Sequence, residues 1–221
     1  MTAATDPRPD PAAARMSLVQ WLSPAFPTGG FAWSHGLERA ISTGEVGSAP
    51  ALLTWLSDLI EHGSGRTEAL LTALALRPAA DHAALVALAR ALSNSAERLA
   101  ETEAQGAALT RTLNALQGTD HPPAPLPVAL GRAAQGLGLP VPEVVGLSLH
   151  AFASTLVQAA VRFVPLGQTE GQQVLAALHP AIARTAAWAA GAGEEDFATS
   201  GFGAEMAAMG HEGMEVRLFR S

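Results

Sequence analysis

The chain is written in helix formers and punctuated by helix breakers. Alanine and leucine dominate, both strong helix formers, and no run alternates β-branched residues as a strand would. Prolines and glycines cut the remainder into helix-length pieces. The expected helices are Met16–Ser23, Ala32–Ser42, Ala51–His62, Thr67–Leu76, Asp81–Leu92, Ala96–Leu116, Val128–Leu137, Pro142–Val164 and Gln172–Ala190, with a Gly-rich, weakly ended one between Gly191 and Gly213. Pro50 suits a first helical turn, and Leu52, Leu56, Leu59 and Ile60 then share one face. Asp81 is an expected N-cap. Asn94, three residues before Glu97, resembles the start of a capping box, and Gly118 suits a C-terminal cap. Residues 118–127 carry four prolines and read as an internal loop. The fold class is all-α, a single-domain helical bundle of about nine or ten helices, with residues 1–15 as a loose N-terminal tail.

Composition narrows the chemistry. The 221 residues carry a net charge of −7, and 48% are apolar against 15% charged, which is globular. There is no cysteine, so thiolate metal sites, disulfides and a cysteine nucleophile are excluded. All 13 basic residues are arginine, which removes the P-loop lysine and Schiff-base chemistry. An acidic chain without a basic block argues against nucleic acid as a partner. The first residues lack a secretory apolar core, and the most apolar stretch, Val144 to Val164, is interrupted by His150, Gln158 and Arg162; a cytoplasmic location without a membrane partner is expected.

No catalytic constellation emerges. The serine-hydrolase elbow, the phosphate-binding loop and the Glu-x-x-His motif of di-metal bundles are all missing. His211-Glu212-Gly213-Met214-Glu215 falls short of a zincin helix because Glu stands where the second histidine ligand belongs. His35 and Glu38, one turn apart, could share a metal, but an orienting hydrogen bond for His35 within its own segment is the simpler reading. The acidic pairs Glu101/Glu103 and Glu194/Glu195 read as solvated surface. His150, Ser154, Gln158 and Arg162, spaced by four, line one stripe of the longest helix: a wet face, or a polar seam against another helix or a second copy.

One segment does not read as scaffold. Between the first two helices stand Ser23-Pro24-Ala25-Phe26-Pro27-Thr28-Gly29-Gly30-Phe31-Ala32-Trp33-Ser34-His35-Gly36-Leu37-Glu38. Its prolines fix direction, its paired glycines allow positive φ or close approach, and its three aromatics need cover from the core or from a partner.

This stretch resembles the signature of the urease accessory protein UreF family. Three further landmarks agree in order: the weaker Glu101-Thr102-Glu103-Ala104-Gln105-Gly106, then Arg162-Phe163-Val164-Pro165-Leu166-Gly167-Gln168-Thr169, and the ending Arg217-Leu218-Phe219-Arg220-Ser221. Gly30 and Trp33 replace the family's more usual Ala and Tyr, and residues 213–216 depart from its pattern.

The resemblance implies an all-helical UreF-like domain over 16–210 and a partner-binding tail over 211–221. It implies a homodimer that is not an enzyme and that bridges UreD (also called UreH) and the GTPase UreG, modulating GTP hydrolysis while nickel is inserted into the urease apoprotein. Nickel and GTP would be handled by those partners, with no cofactor bound by this chain. The partner-binding residues so implied are Pro24, Pro27, Gly29, Phe31, Ser34, His35, Gly36 and Glu38 in the loop and Arg217, Leu218, Phe219, Arg220 and Ser221 in the tail. The alternative is a metallochaperone that holds nickel directly through His35, His211 and Glu212, since imidazole suits Ni²⁺.

Overall fold

A computed structural model describes residues 10–198, 202–214 and 217–220. Among them the chain forms eleven α-helices and no strand. In order these are α1 (Pro11–Leu22), α2 (Leu37–Ser42), α3 (Ala49–Glu61), α4 (Ser64–Ala75), α5 (His82–Ala91), α6 (Ala96–Gln117), α7 (Leu126–Ala134), α8 (Val141–Phe163), α9 (Gln168–Ala177), α10 (His179–Gly191) and α11 (Phe202–His211). Short 3-10 turns occupy Gly30–Ala32, Gln135–Leu137 and Glu194–Asp196.

The all-α reading holds, and its differences have local causes. α1 starts at Pro11 because Asp10 accepts the amide of Ala13 and proline needs no donor in the first turn, so residues 11–15 are helix and not tail. The stretch expected as one helix over 172–190 is two: α9 stops at Ala177, and Pro180 sits in the first turn of α10. The expected helix Ala32–Ser42 survives only from Leu37, because His35 and Gly36 take positive φ (55° and 79°). Asp81 caps α5 through Ala83 and Ala84, and Gly118 closes α6 at φ 68°, both as expected. The cap of α6 is Ser95, not Asn94; its Oγ accepts the amide of Arg98.

α8 is the axle of the bundle. It packs against α10, α9, α4, α3, α2 and α1. It is long and apolar enough to cross a membrane by length and composition, yet Val144, Val145, Leu149, Ala153, Leu156, Val157 and Ala160 are all buried in the core, as in the central helix of a bundle. α4 lies beside it and buries both flanks, packing on α7 as well as α10. Close approach is set by small residues: a Cβ on Gly131 of α7 would lie 2.6 Å from Thr72 O on α4. α6 packs on α7, and Gly106 meets the backbone of Ala124–Leu126, where the amide of Leu126 donates to Thr102 Oγ1 (3.2 Å). The first turns of α6 meet the loop 23–38 through Glu101 at His35 and Gln105 at Gly30, and α11 packs on α2.

Candidate functional site

Two connected ionic clusters hold the unusual loop, one below it and one beside it. The inner cluster centres on Glu101 of α6, which is 2% exposed. Glu101 Oε1 lies 2.7 Å from His35 Nε2 and accepts from Gln105 Nε2 at 2.8 Å, while its other oxygen pairs with Arg98. Arg98 also reaches Glu68 of α4 at 2.5 Å and His35 Nε2 at 2.9 Å. Residues 98, 101 and 105 follow the three-and-four spacing that puts them on one helix face. Burial opposes the ionised form of Glu101, but the charges of Arg98 and His35 and their hydrogen bonds outweigh it and hold the carboxyl down at about 2. Burial likewise works against the Arg98 cation, and Glu101 and Glu68 more than restore it, raising its proton affinity.

This cluster has a pH signature. A carboxylate whose pKa is depressed on folding contributes stability that is present above its ordinary 4.5 and lost as pH falls toward about 2. The melting temperature is therefore expected to drop steeply below pH 4.5, and Glu101→Gln is expected to flatten that drop while lowering stability at neutral pH. An acid limb of unchanged slope in the variant would assign the loss to other carboxylates.

The outer cluster centres on His211 at the end of α11, which is fully buried. Its Nδ1 is 2.8 Å from Glu97 Oε2, and its Nε2 is 3.0 Å from Glu38 Oε2. Glu97 also takes Arg217 at 2.6 Å. Glu38 accepts the backbone amides of Leu218 (2.8 Å) and Phe219 (2.9 Å). Burial pushes Glu38 toward the neutral acid, but the bonds from His211 and from those two amides prevail, and its carboxyl sits below its usual range. Glu212 accepts the amides of Ala96 and Glu97 at the exposed start of α6, completing the cap begun by Ser95. The tail continues with the amide of Arg220 donating to Ala32 O (2.8 Å), the Phe219 ring edge-on to Phe163 (5.4 Å), and the Arg220 guanidinium 5.8 Å from the Trp33 ring centroid.

The sequence-derived residues thus separate into two kinds. Ser34, His35, Gly36 and Phe219 are buried and act inside the chain; Ser34 Oγ accepts the amide of Glu38, and His35 stacks edge-on against Phe152. Pro24, Pro27, Phe31, Arg217, Leu218 and Arg220 are exposed, Phe31 at 70% and Leu218 at 69%. Gly29 and Glu38 are half-buried, and Ser221 lies outside the described residues. Of the three aromatics that needed cover, Phe26 and Trp33 find it in the core, and Phe31 does not. Phe31 stands at the rim of a cavity of about 510 Å³ that Glu68, Arg98 and Glu101 floor and Phe219 borders.

Several expectations are corrected. Glu101 is no solvated carboxylate; Glu103 of that pair is half-buried and bound to Arg90. His35 and Glu38 do not share a ligand: the left-handed turn at 35–36 sends the first to Glu101 and the second to His211. His35, His211 and Glu212 are each committed to other partners, and among the described residues no group of three or more His, Asp, Glu or Cys is arranged to hold a metal ion. The polar stripe of α8 divides. Ser154, Gln158 and Arg162 line the cavity, whereas His150 faces His179 at 5.5 Å, and burial and that neighbour lower its pKa. Sequence reading missed Glu68 and Arg98 altogether. Arg98 carried a signal, since it and Glu101 stand one turn apart on an otherwise buried face; Glu68 carried none.

The comparisons with known proteins bear on this same chain length. The UreF family model matches residues 46–179. The urease accessory protein UreF of Cereibacter sphaeroides (strain KD131 / KCTC 12085) is 60% identical over 209 residues, covering 95% of this chain and 99% of that protein. The chain belongs to the UreF family of urease accessory proteins. Urease accessory protein UreF of Paracoccus denitrificans (strain Pd 1222) is 53% identical over 211 residues, 96% of this chain and 98% of the relative. That of Roseobacter denitrificans (strain ATCC 33942 / OCh 114) is 46% identical over 207 residues, 93% of each. Three of the four landmarks that resemble UreF meet at the two clusters: the loop supplies His35 and Glu38, the weaker central landmark supplies Glu101 and Gln105, and the ending supplies the docked tail, while the landmark at 162–169 lines the cavity through Arg162.

Proposed function

We propose that this UreF-family chain works by contact and not by turnover: as a cytoplasmic homodimer it bridges UreD/UreH and the GTPase UreG, modulates GTP hydrolysis, and so serves nickel insertion into the urease apoprotein. Nickel and GTP stay with the partners. The observation that carries this reading is the presentation of Phe31, Arg217, Leu218 and Arg220 on a rigid, ion-paired base: exposed apolar and arginine side chains whose backbone is already fixed. Ordering the backbone beforehand reduces the entropy lost on binding, and aromatic, leucine and arginine anchors suit a protein interface.

The test must spare the fold. Deleting the whole tail 211–221 would also extract the buried His211, so a point change is better. Leu218→Asp keeps the backbone amide that Glu38 accepts. On co-expression with UreD and UreG, it is expected to weaken capture of UreD about tenfold, or ~1.4 kcal/mol, with unchanged helix content. Full-yield co-purification of the variant would remove the tail from the interface. Calorimetric titration with Ni²⁺ checks the chaperone alternative: tight stoichiometric binding abolished by His35→Ala would replace the contact-only reading.

A further inference from the structure

His211 is buried between two carboxylates, and its hydrogen-bond inventory decides what it can be. Each ring nitrogen faces a carboxylate oxygen, Glu97 at 2.8 Å and Glu38 at 3.0 Å. A carboxylate only accepts, so both contacts need an N–H, and only the imidazolium has two. The neutral ring would turn one nitrogen lone pair toward a carboxylate oxygen at hydrogen-bond distance, a costly arrangement in a buried site.

The charges around the ring can be counted by element. α2 contributes Glu38, with Arg39 passing Gly210 of α11. α6 contributes Glu97, while its Arg98 turns away to Glu68 and Glu101. The tail contributes Arg217, paired to Glu97, and Arg220 beside Trp33; Glu212 sits on the α6 amides. Among the described residues, the two carboxylates that touch the ring meet two cations directly, Arg217 and the imidazolium. Without the ring proton, Glu38 loses the cation that touches it and Glu97 keeps only Arg217.

The same two carboxylates hold the tail. Glu38 takes the amides of Leu218 and Phe219, and Glu97 takes Arg217, so whatever loosens His211 loosens residues 217–220. Phe219 borders the cavity, and its ring packs on Phe163.

We propose that His211 is a protonation-gated pin: as the imidazolium it ties the strap 217–220 to α2 and α6, and losing its proton frees the strap and uncovers the cavity beside Phe219. The latch depends on this chain alone and on no assumption about what the tail binds.

Amide hydrogen exchange on the full chain tests it. Protection factors, corrected for intrinsic rates, are followed at Leu218, Phe219 and Arg220 between about pH 6 and about pH 9, a range that spans histidine titration. The expected result is at least a tenfold loss of protection at these three amides, with those of α8 unchanged. His211→Gln, neutral throughout, is expected to show low protection at both pH values. Equal protection of the wild-type strap at the two pH values overturns the proposal, as does a parallel loss throughout α8. Should the variant fail to fold, ring ¹⁵N shifts of wild-type His211 at about pH 6 decide instead: two protonated nitrogens support the pin, and a single tautomer overturns it.

Discussion

Replacing Arg98 by alanine is expected to lower the free energy of unfolding by about 3–5 kcal/mol, the range for stripping one partner from a buried ionic group. Arg98 joins Glu68, Glu101 and His35 across α4, α6 and the loop, and its side chain is only 11% exposed. Its removal leaves two carboxylates facing one another across a partly dry space. A methionine at 98, which keeps the aliphatic stem, is expected to recover little of the loss, because packing is not what fails. Denaturant titration measures both variants; a loss below about 1 kcal/mol for Arg98→Ala, the value of a solvated pair, would show that water reaches and screens the cluster.

Gly36→Ala is expected to detach α11 while leaving the rest of the bundle folded. Gly36 has φ 79°, where an L-residue is strained, and a Cβ there would lie 2.5 Å from Ala208 N on α11. The backbone of α11 cannot yield locally, so the helix must move as a body, taking His211 out from between Glu38 and Glu97. Strain alone costs on the order of 1–3 kcal/mol, and the lost contacts add to it. Trypsin is expected to cut the variant at Arg217 many times faster than the parent, with little change in far-ultraviolet ellipticity. An unchanged cleavage rate would mean that α11 is not held by this contact.

The bundle was largely legible because its signals are local. Alanine, leucine, the Asp81 cap, Pro50 and Gly118 act within one or two turns, and the structure obeys them. Errors arose where two local signals competed or where the deciding partner was distant in the chain. Asn94 and Ser95 both suit an N-cap, and the register that lets Glu212 cover the next two amides selects Ser95. His35 and Glu38 are one turn apart in sequence, but a left-handed pair between them sends their side chains to different helices. Glu101 reads as solvated because it and Glu103, two apart on a helix, point away from each other; the groups that hold it buried include His35, 66 positions away, and Arg98, whose other partner Glu68 is 33 positions away. The landmarks were visible as residues, and their purpose emerged only once α4, α6, α11 and the tail were in place.

Glu38 grips the tail by its main chain. Two peptide N–H groups donate to the carboxylate, and such groups are common to every residue except proline. The seat is therefore indifferent to which side chain stands at 218, so long as Arg217 keeps its pairing with Glu97 and Phe219 its place against Phe163. Position 218, whose side chain is exposed, can be rewritten to suit a different docking surface without unseating the segment that carries it, which separates holding the tail in place from choosing what it meets.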